Sequence, residues 1–95
     1  MAKFGEIIQS LQPTLIDFYK DDNDEMNNIL RDVAAALGDK AKVIKIDMEK
    51  NEELVDALRV KGYPTYIIYK NGEMKWRQSG DQDANTLINL VEQFV

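Results

Sequence analysis

Carboxylates are the residues of this chain best suited to chemistry, and they are densest in the run Asp21–Glu25. Its first, third and fifth residues alternate in the way that oxygen ligands alternate at the start of a calcium-binding loop. A calcium loop then needs a turn glycine and a bidentate glutamate, but Met26 and Asp32 occupy those two positions. We therefore predict no metal site and interpret the run as helix capping plus a solvated charge cluster. A weak divalent-ion site remains the alternative.

Cysteine and histidine are both absent from the 95 residues. Without cysteine the chain offers no thiolate nucleophile, no disulfide and no sulfur ligand for a metal. Without histidine it offers no conventional catalytic triad. We therefore predict that the chain carries out no dithiol–disulfide exchange, is not an enzyme and needs no cofactor.

Composition and charge narrow the class of partner. The formal net charge of −5 provides no basic field for phosphate backbones, so we expect no nucleic-acid partner. No apolar run is long enough to cross a bilayer, and the first residues lead into an amphipathic segment rather than an apolar signal core. We expect a cytoplasmic protein with no membrane partner, present as a monomer or weak homodimer. The 44% hydrophobic and 31% charged residues are typical of one globular domain, residues 1–95.

The elements that position these side chains alternate between helical and strand periods. In chain order the pattern predicts a helix before Pro13, a strand Thr14–Lys20, a helix capped by Asp22, a strand Lys42–Met48, a helix capped by Asn51, strands Tyr63–Lys70 and Glu73–Ser79, and a helix capped by Asp83. Asn71-Gly72 is a strong two-residue hairpin signal, so the last two strands should be antiparallel. Strand–helix–strand crossovers place helices on both faces of a sheet, which predicts an α/β fold.

Five fragments of the sequence, in this order and spacing, together resemble a thioredoxin. They are Leu15–Tyr19, Val43–Asp47, Gly62–Thr65, Asn71–Glu73 and Gly80. Each fragment alone is weak evidence, but five in register cover nearly the whole chain after the first helix. The resemblance implies a thioredoxin-like fold with a four-stranded mixed β-sheet, its first strand central, and a cis peptide bond before Pro64.

The resemblance also shows what this chain has changed. Thioredoxins carry C-x-x-C at the N-terminus of the second helix, where the helix dipole lowers the thiol pKa. Here the segment Tyr19–Met26 contains no cysteine and is several residues shorter than the family's loop. The family places an acid at the position of Asp17, beneath the thiols, and a lysine at that of Lys45. We expect these two to persist as a buried charge pair, because an unpaired buried charge is costly.

The end of the sheet at Tyr63-Pro64 is the predicted binding site. In thioredoxin-like folds the backbone of the residue before the cis-proline pairs with an extended peptide, a contact that needs no sulfur. The residues predicted to contact a peptide or protein partner are Tyr19, Asp22, Tyr63, Pro64, Thr65 and Gly80. Acidic residues at this rim favour basic peptides and a salt-sensitive interaction. The alternative is that Pro64 only shapes the fold and the tyrosines only pack.

The sequence thus predicts a redox-inactive thioredoxin-fold binding or adaptor module. One alternative is a thioredoxin-like oxidoreductase role in cell redox homeostasis, with the thiol supplied by a partner or by glutathione. Another is a structural domain that self-associates through the edge strand around Trp76. For Trp76 itself, packing against the hairpin partner strand is the expected arrangement.

Overall fold

The protein is described by a computed structural model, which defines residues 3–95. Met1 and Ala2 belong to the segment for which the sequence predicts no apolar signal core, and both lie outside the described residues. The elements in chain order are α1 (Phe4–Ile7), β1 (Thr14–Tyr19), α2 (Asp24–Leu37), a 3-10 turn (Gly38–Lys40), β2 (Lys42–Asp47), α3 (Glu52–Leu58), β3 (Thr65–Lys70), β4 (Glu73–Ser79) and α4 (Ala84–Glu92). Within residues 3–95, no helix combines the length and the apolar character needed to span a membrane.

The four strands form one mixed sheet in the order β2-β1-β3-β4. Strand β1 pairs in parallel with β2 and antiparallel with β3, and β3 pairs antiparallel with β4. The predicted α/β fold with a four-stranded mixed sheet is therefore confirmed. Strand β1 lies in the interior of the sheet, while β2 and β4 are its edges.

Side chains of β1 alternate between two hydrophobic cores because successive residues of a strand point to opposite faces. Leu15 packs in the cluster that contains residues of α2 and α4, whereas Ile16 and Phe18 pack in the cluster that contains residues of α3. All three are fully buried. Asp17 lies two residues after Leu15, so its carboxyl faces the α2 and α4 side of the sheet.

The hairpin between β3 and β4 turns at Asn71-Gly72, as predicted. Both residues have positive φ, 56° for Asn71 and 82° for Gly72. This combination is that of a type I′ turn, whose twist matches the flanking strands and which favours asparagine followed by glycine.

The cap of α2 differs from the sequence prediction by one residue. Asn23, in extended conformation, accepts a hydrogen bond from the Met26 N–H at 2.8 Å, so Asn23 rather than Asp22 is the N-cap. Asp83 caps α4 as predicted, since its carboxylate accepts the N–H three residues on. Asn51 makes no side-chain cap bond to α3. The shift at α2 leaves the carboxylate of Asp22 available for other partners.

Candidate cleft at the cis-proline end of the sheet

A cleft of about 510 Å³ opens at the carboxyl end of β1, between the loop before α2 and the loop before α4. Its buried and half-buried lining residues are Tyr19, Met26, Ile29, Pro64, Tyr66 and Gln82. Its exposed lining residues are Lys20, Asp21, Asn23, Glu25, Tyr63, Asp81 and Asp83. The cleft thus combines an aromatic and apolar interior with a rim that is mostly acidic.

Tyr63 and Pro64 line this cleft, and the peptide bond between them is cis. The Tyr63 side chain is half exposed, at 51%. Strand β3 begins at Thr65, so Tyr63 lies just beyond the hydrogen-bonded ladder. Among residues 3–95, no backbone hydrogen bond involves the N–H or C=O of Tyr63. The backbone of the described residues therefore leaves both groups unused.

Thr65 and Gly80 were predicted to contact a bound peptide, but neither lines the cleft. Thr65 is fully buried, where its hydroxyl donates to the Gly62 carbonyl oxygen at 2.6 Å and lies 2.8 Å from the Ser79 hydroxyl. The Gly80 N–H donates to the Pro64 carbonyl oxygen at 2.8 Å. Both residues therefore hold the backbone around the cleft in place and do not form part of its surface.

The predicted buried ion pair between Asp17 and Lys45 is not formed. The two residues are neighbours in the β1–β2 register, yet the Lys45 ammonium contacts Asp22 Oδ1 at 3.1 Å and Asn27 Oδ1 at 2.8 Å. It also lies 5.0 Å from the centre of the Tyr19 ring. Because β2 is an edge strand, the long lysine side chain can reach partners near solvent and keep part of its hydration. Asp22, also predicted as a binding residue, belongs to this network and does not line the cleft.

Asp17 is left as a fully buried carboxyl. Within the described residues, neither of its oxygens has a hydrogen-bond partner. Burial raises the pKa of Asp17 from its usual 3.8 to about 7, the charge of Lys45 opposes this shift from a distance, and the charge of Asp22 adds to it. Asp17 therefore titrates close to neutral pH, behind the cleft.

Tyr66 is one of several cleft residues that sequence reasoning missed. It is the β3 partner of Asp17, is only 2% exposed and lines the cleft. Within residues 3–95 its hydroxyl takes part in no hydrogen bond. Burial, then the charges of Asp17 and Asp81, raise the pKa of this hydroxyl. The available signal was one of two buried phenols in β3, Tyr66 and Tyr69, which the hydrophobic pattern treats as apolar residues.

The acidic loop before α2 gathers no metal-binding cluster. In the part of the chain from residue 3 onward, no three acidic side chains come close enough to hold an ion. Asn23 is engaged in capping and Asp22 in the contact with Lys45. The loop contributes Asp21 and Glu25 to the rim of the cleft instead.

Trp76 is half buried and packs against the core on the α2 and α4 side of the sheet. Its cross-strand neighbour is Ile68 of β3, as expected for packing within the hairpin. The arrangement gives Trp76 a structural role and does not present the indole as a free anchor on the β4 edge.

Comparison with known proteins agrees with this architecture. Residues 1–93 match the family model for thioredoxin. The chain is 38% identical to the chloroplastic thioredoxin Y of rice (Oryza sativa subsp. japonica) over 96% of its own length and 56% of the rice protein. It is 32% identical to a thioredoxin-like protein of Synechocystis, over 99% of this chain and 93% of that protein. A mutant thioredoxin from Halobacterium salinarum superposes with a TM-score of 0.77 at 31% identity, covering 94% of this chain and 82% of the other.

These relatives correct the prediction that the chain is not an enzyme. They are named thioredoxins or thioredoxin-like, which points to a thioredoxin-like function. The absence of cysteine from the 95 residues does not by itself exclude such a function. Because the rice relative is chloroplastic by name, the cytoplasmic location stays a prediction. The chain also spans little more than half of the rice protein.

Proposed function

Because this chain belongs to the thioredoxin family, we propose that it performs the recognition step of a thioredoxin-like function by binding an extended polypeptide in the cleft beside Tyr63 and Pro64. The observation that carries the proposal is the Tyr63 backbone, whose N–H and C=O make no backbone hydrogen bond among residues 3–95. An extended segment laid beside Tyr63 satisfies both groups as an added strand does.

The surface around Tyr63 suits such a segment. Tyr19 and Tyr63 offer aromatic area with polar tips, a combination favoured at protein interfaces. Met26 and Ile29 give the cleft an apolar interior that can cover one side chain of the peptide. Because ordering a flexible peptide has an entropic cost, we expect modest affinity from a site of this size.

A second role concerns the thiol, and it is favoured by the thioredoxin names of the relatives. The cleft would hold a disulfide-bearing segment while glutathione supplies the sulfur. One glutathione thiolate attacks the disulfide, and a second resolves the mixed disulfide and leaves as oxidised glutathione. We expect the chain to accelerate reduction of a disulfide-bearing peptide by glutathione and to reduce nothing when no thiol is added. Equal rates with and without the chain would exclude this second role.

Replacing Tyr63 by alanine tests the peptide-binding proposal. We expect Tyr63→Ala to weaken binding of an extended peptide by about tenfold, the effect of losing one well-placed aromatic contact. Met74→Ala is the matched control, because Met74 is also an exposed apolar residue, at 44%, but lies on β4 away from the cleft. Calorimetric titration of the three proteins measures the difference. Equal losses in both variants would contradict a site at Tyr63.

The remaining features of the proposal concern the partner and the assembly. We propose a peptide or protein partner, with neither nucleic acid nor membrane involved. We also propose a cytoplasmic location and a monomer or weak homodimer. The acidic character of the chain, with its net charge of −5, supports the exclusion of nucleic acid.

A further inference from the structure

The hydroxyl of Tyr66 is an unused polar group in the interior of the cleft. The residue is 2% exposed, and within residues 3–95 its hydroxyl makes no hydrogen bond. The hydroxyl oxygen is not one of the buried atoms that lack a partner, so it keeps contact with solvent, and a ligand that displaces this solvent must supply a hydrogen-bond partner in its place. Since Tyr66 lines the cleft, a bound molecule is in a position to supply that partner.

The charges around the cleft indicate the sign of that molecule. Four carboxylates line the rim, at Asp21, Glu25, Asp81 and Asp83, against the single ammonium of Lys20. One oxygen of the Asp83 carboxylate already accepts the N-cap hydrogen bond of α4. The other three leave a net negative potential over the opening, which attracts cations and repels anions.

The rings of Tyr19 and Tyr63, which both line the cleft, already contact cations of this chain. The Lys20 ammonium lies 4.9 Å from the ring centre of Tyr63, and the Lys45 ammonium lies 5.0 Å from that of Tyr19. Both distances are within the range of a cation–π interaction. Both rings therefore attract positive charge: Lys20 lines the cleft and competes with a ligand for Tyr63, whereas Lys45 contacts Tyr19 and does not line the cleft.

Resting on the proposed peptide site, we propose that the cleft selects segments that carry an arginine, whose guanidinium donates to the Tyr66 hydroxyl oxygen and pairs with the Asp81 carboxylate. A guanidinium has five donors in a planar fork, so it can serve a hydroxyl and a carboxylate at once. It is also more weakly hydrated than an ammonium and stacks on aromatic rings. Arginine therefore fits this mixed aromatic and acidic cleft better than lysine does.

The test uses two probe peptides that differ in one group. The first is acetyl-Ser-Val-Arg-Val-Ser-amide, and the second replaces arginine by citrulline, which keeps the shape and removes the charge. At low salt we expect the arginine peptide to bind about tenfold more tightly to the unmodified chain. Titration calorimetry at two salt concentrations measures the preference, which should shrink at high salt because the rim charges are exposed.

Two variants locate the preference, and a third serves as control. Asp81→Asn removes only the charge, so it should reduce the arginine preference to about twofold and leave citrulline-peptide binding unchanged. Tyr66→Phe removes only the hydroxyl and should weaken both peptides, the arginine peptide more strongly, because citrulline keeps N–H donors but forms no charge-assisted bond. Asp56→Asn makes the same change in net charge at an exposed residue of α3, outside the cleft, and should keep the full preference. Circular dichroism confirms that each variant is folded before titration.

The outcomes separate this inference from the function on which it rests. Equal binding of the arginine and citrulline peptides to the unmodified chain would overturn the arginine subsite and leave peptide binding intact. A preference that survives in both Tyr66→Phe and Asp81→Asn would overturn it as well. Failure of either peptide to bind at all would refute both proposals together.

Discussion

Replacing Asp17 by asparagine is expected to raise the free energy of unfolding at pH 8 by about 2 to 4 kcal/mol. The pKa of this buried carboxyl is raised from its usual 3.8 to about 7. Between these values the folded protein holds a proton that the unfolded chain has released, so stability falls as the pH rises from about 4 to about 7. The asparagine side chain is neutral throughout and escapes this loss, although burial of its amide reduces the gain.

Urea unfolding followed by fluorescence of Trp76, the only tryptophan, measures the effect at pH 4.5 and pH 8. We expect the stabilisation at pH 8 to be nearly absent at pH 4.5, where Asp17 is protonated. Asp56→Asn, at an exposed carboxylate, is the matched control and should change stability little at either pH. Lys45→Met should push the pKa of Asp17 above about 7, because the lysine charge lowers it. An Asp17→Asn variant less stable than the parent at pH 8 would contradict this description of Asp17.

Replacing Arg77 by methionine is expected to lower the free energy of unfolding by about 2 to 3 kcal/mol. The Arg77 guanidinium donates to the carbonyl oxygens of Leu58 and Arg59, both at 2.6 Å. These are charge-assisted bonds to carbonyls at the C-terminal end of α3, where a cation is favourable. Lys75→Met is the control on the same strand, since among residues 3–95 the Lys75 ammonium pairs only with the exposed carboxylate of Glu73 and such pairs contribute little.

The Arg77 contacts also bear on the cleft. The carbonyls that accept its bonds begin the short connection from α3 to Tyr63 and Pro64. Arg77→Met should therefore weaken peptide binding as well as stability, whereas Lys75→Met should alter neither by much. Denaturant unfolding and peptide titration of the same preparations test both expectations. A loss of stability in Lys75→Met as large as that expected for Arg77→Met, or no loss in Arg77→Met, would contradict the conclusion that Arg77 holds β4 against α3.

The fold was predictable from sequence because its signals are local and mutually consistent. Strand β1 is an apolar run, α2 has one apolar face, and Asn71-Gly72 specifies its own turn type. The cis bond at Tyr63-Pro64 came from the resemblance to the family, since the residues alone favour trans. Secondary structure and the antiparallel hairpin therefore followed from the residues themselves, whereas the interior position of β1 and the end of the sheet that carries the cleft came from the resemblance.

The details of the site were less predictable because they depend on side-chain reach and on contacts distant in sequence. Register placed Asp17 beside Lys45, but the lysine lies on an edge strand and turns toward Asp22 and solvent. The hydrophobic pattern placed Tyr66 in the core and could not show that this residue also lines the cleft. The burial of the Tyr66 ring and of the Asp17 carboxyl becomes visible only when the strands are assembled into the sheet.

Binding of an extended peptide beside Tyr63 is tested most directly by titrating the ¹⁵N-labelled chain with the arginine probe peptide and following every backbone amide by NMR. We predict the largest shifts at the amide of Tyr63 and at those of the cleft residues Lys20 and Gln82, with intermolecular contacts from the peptide to the Tyr63 ring. The amides of β4, including that of Trp76, should stay nearly unchanged. Shifts confined to β4, with the amide of Tyr63 unaffected, would contradict the proposed site and favour association through the sheet edge.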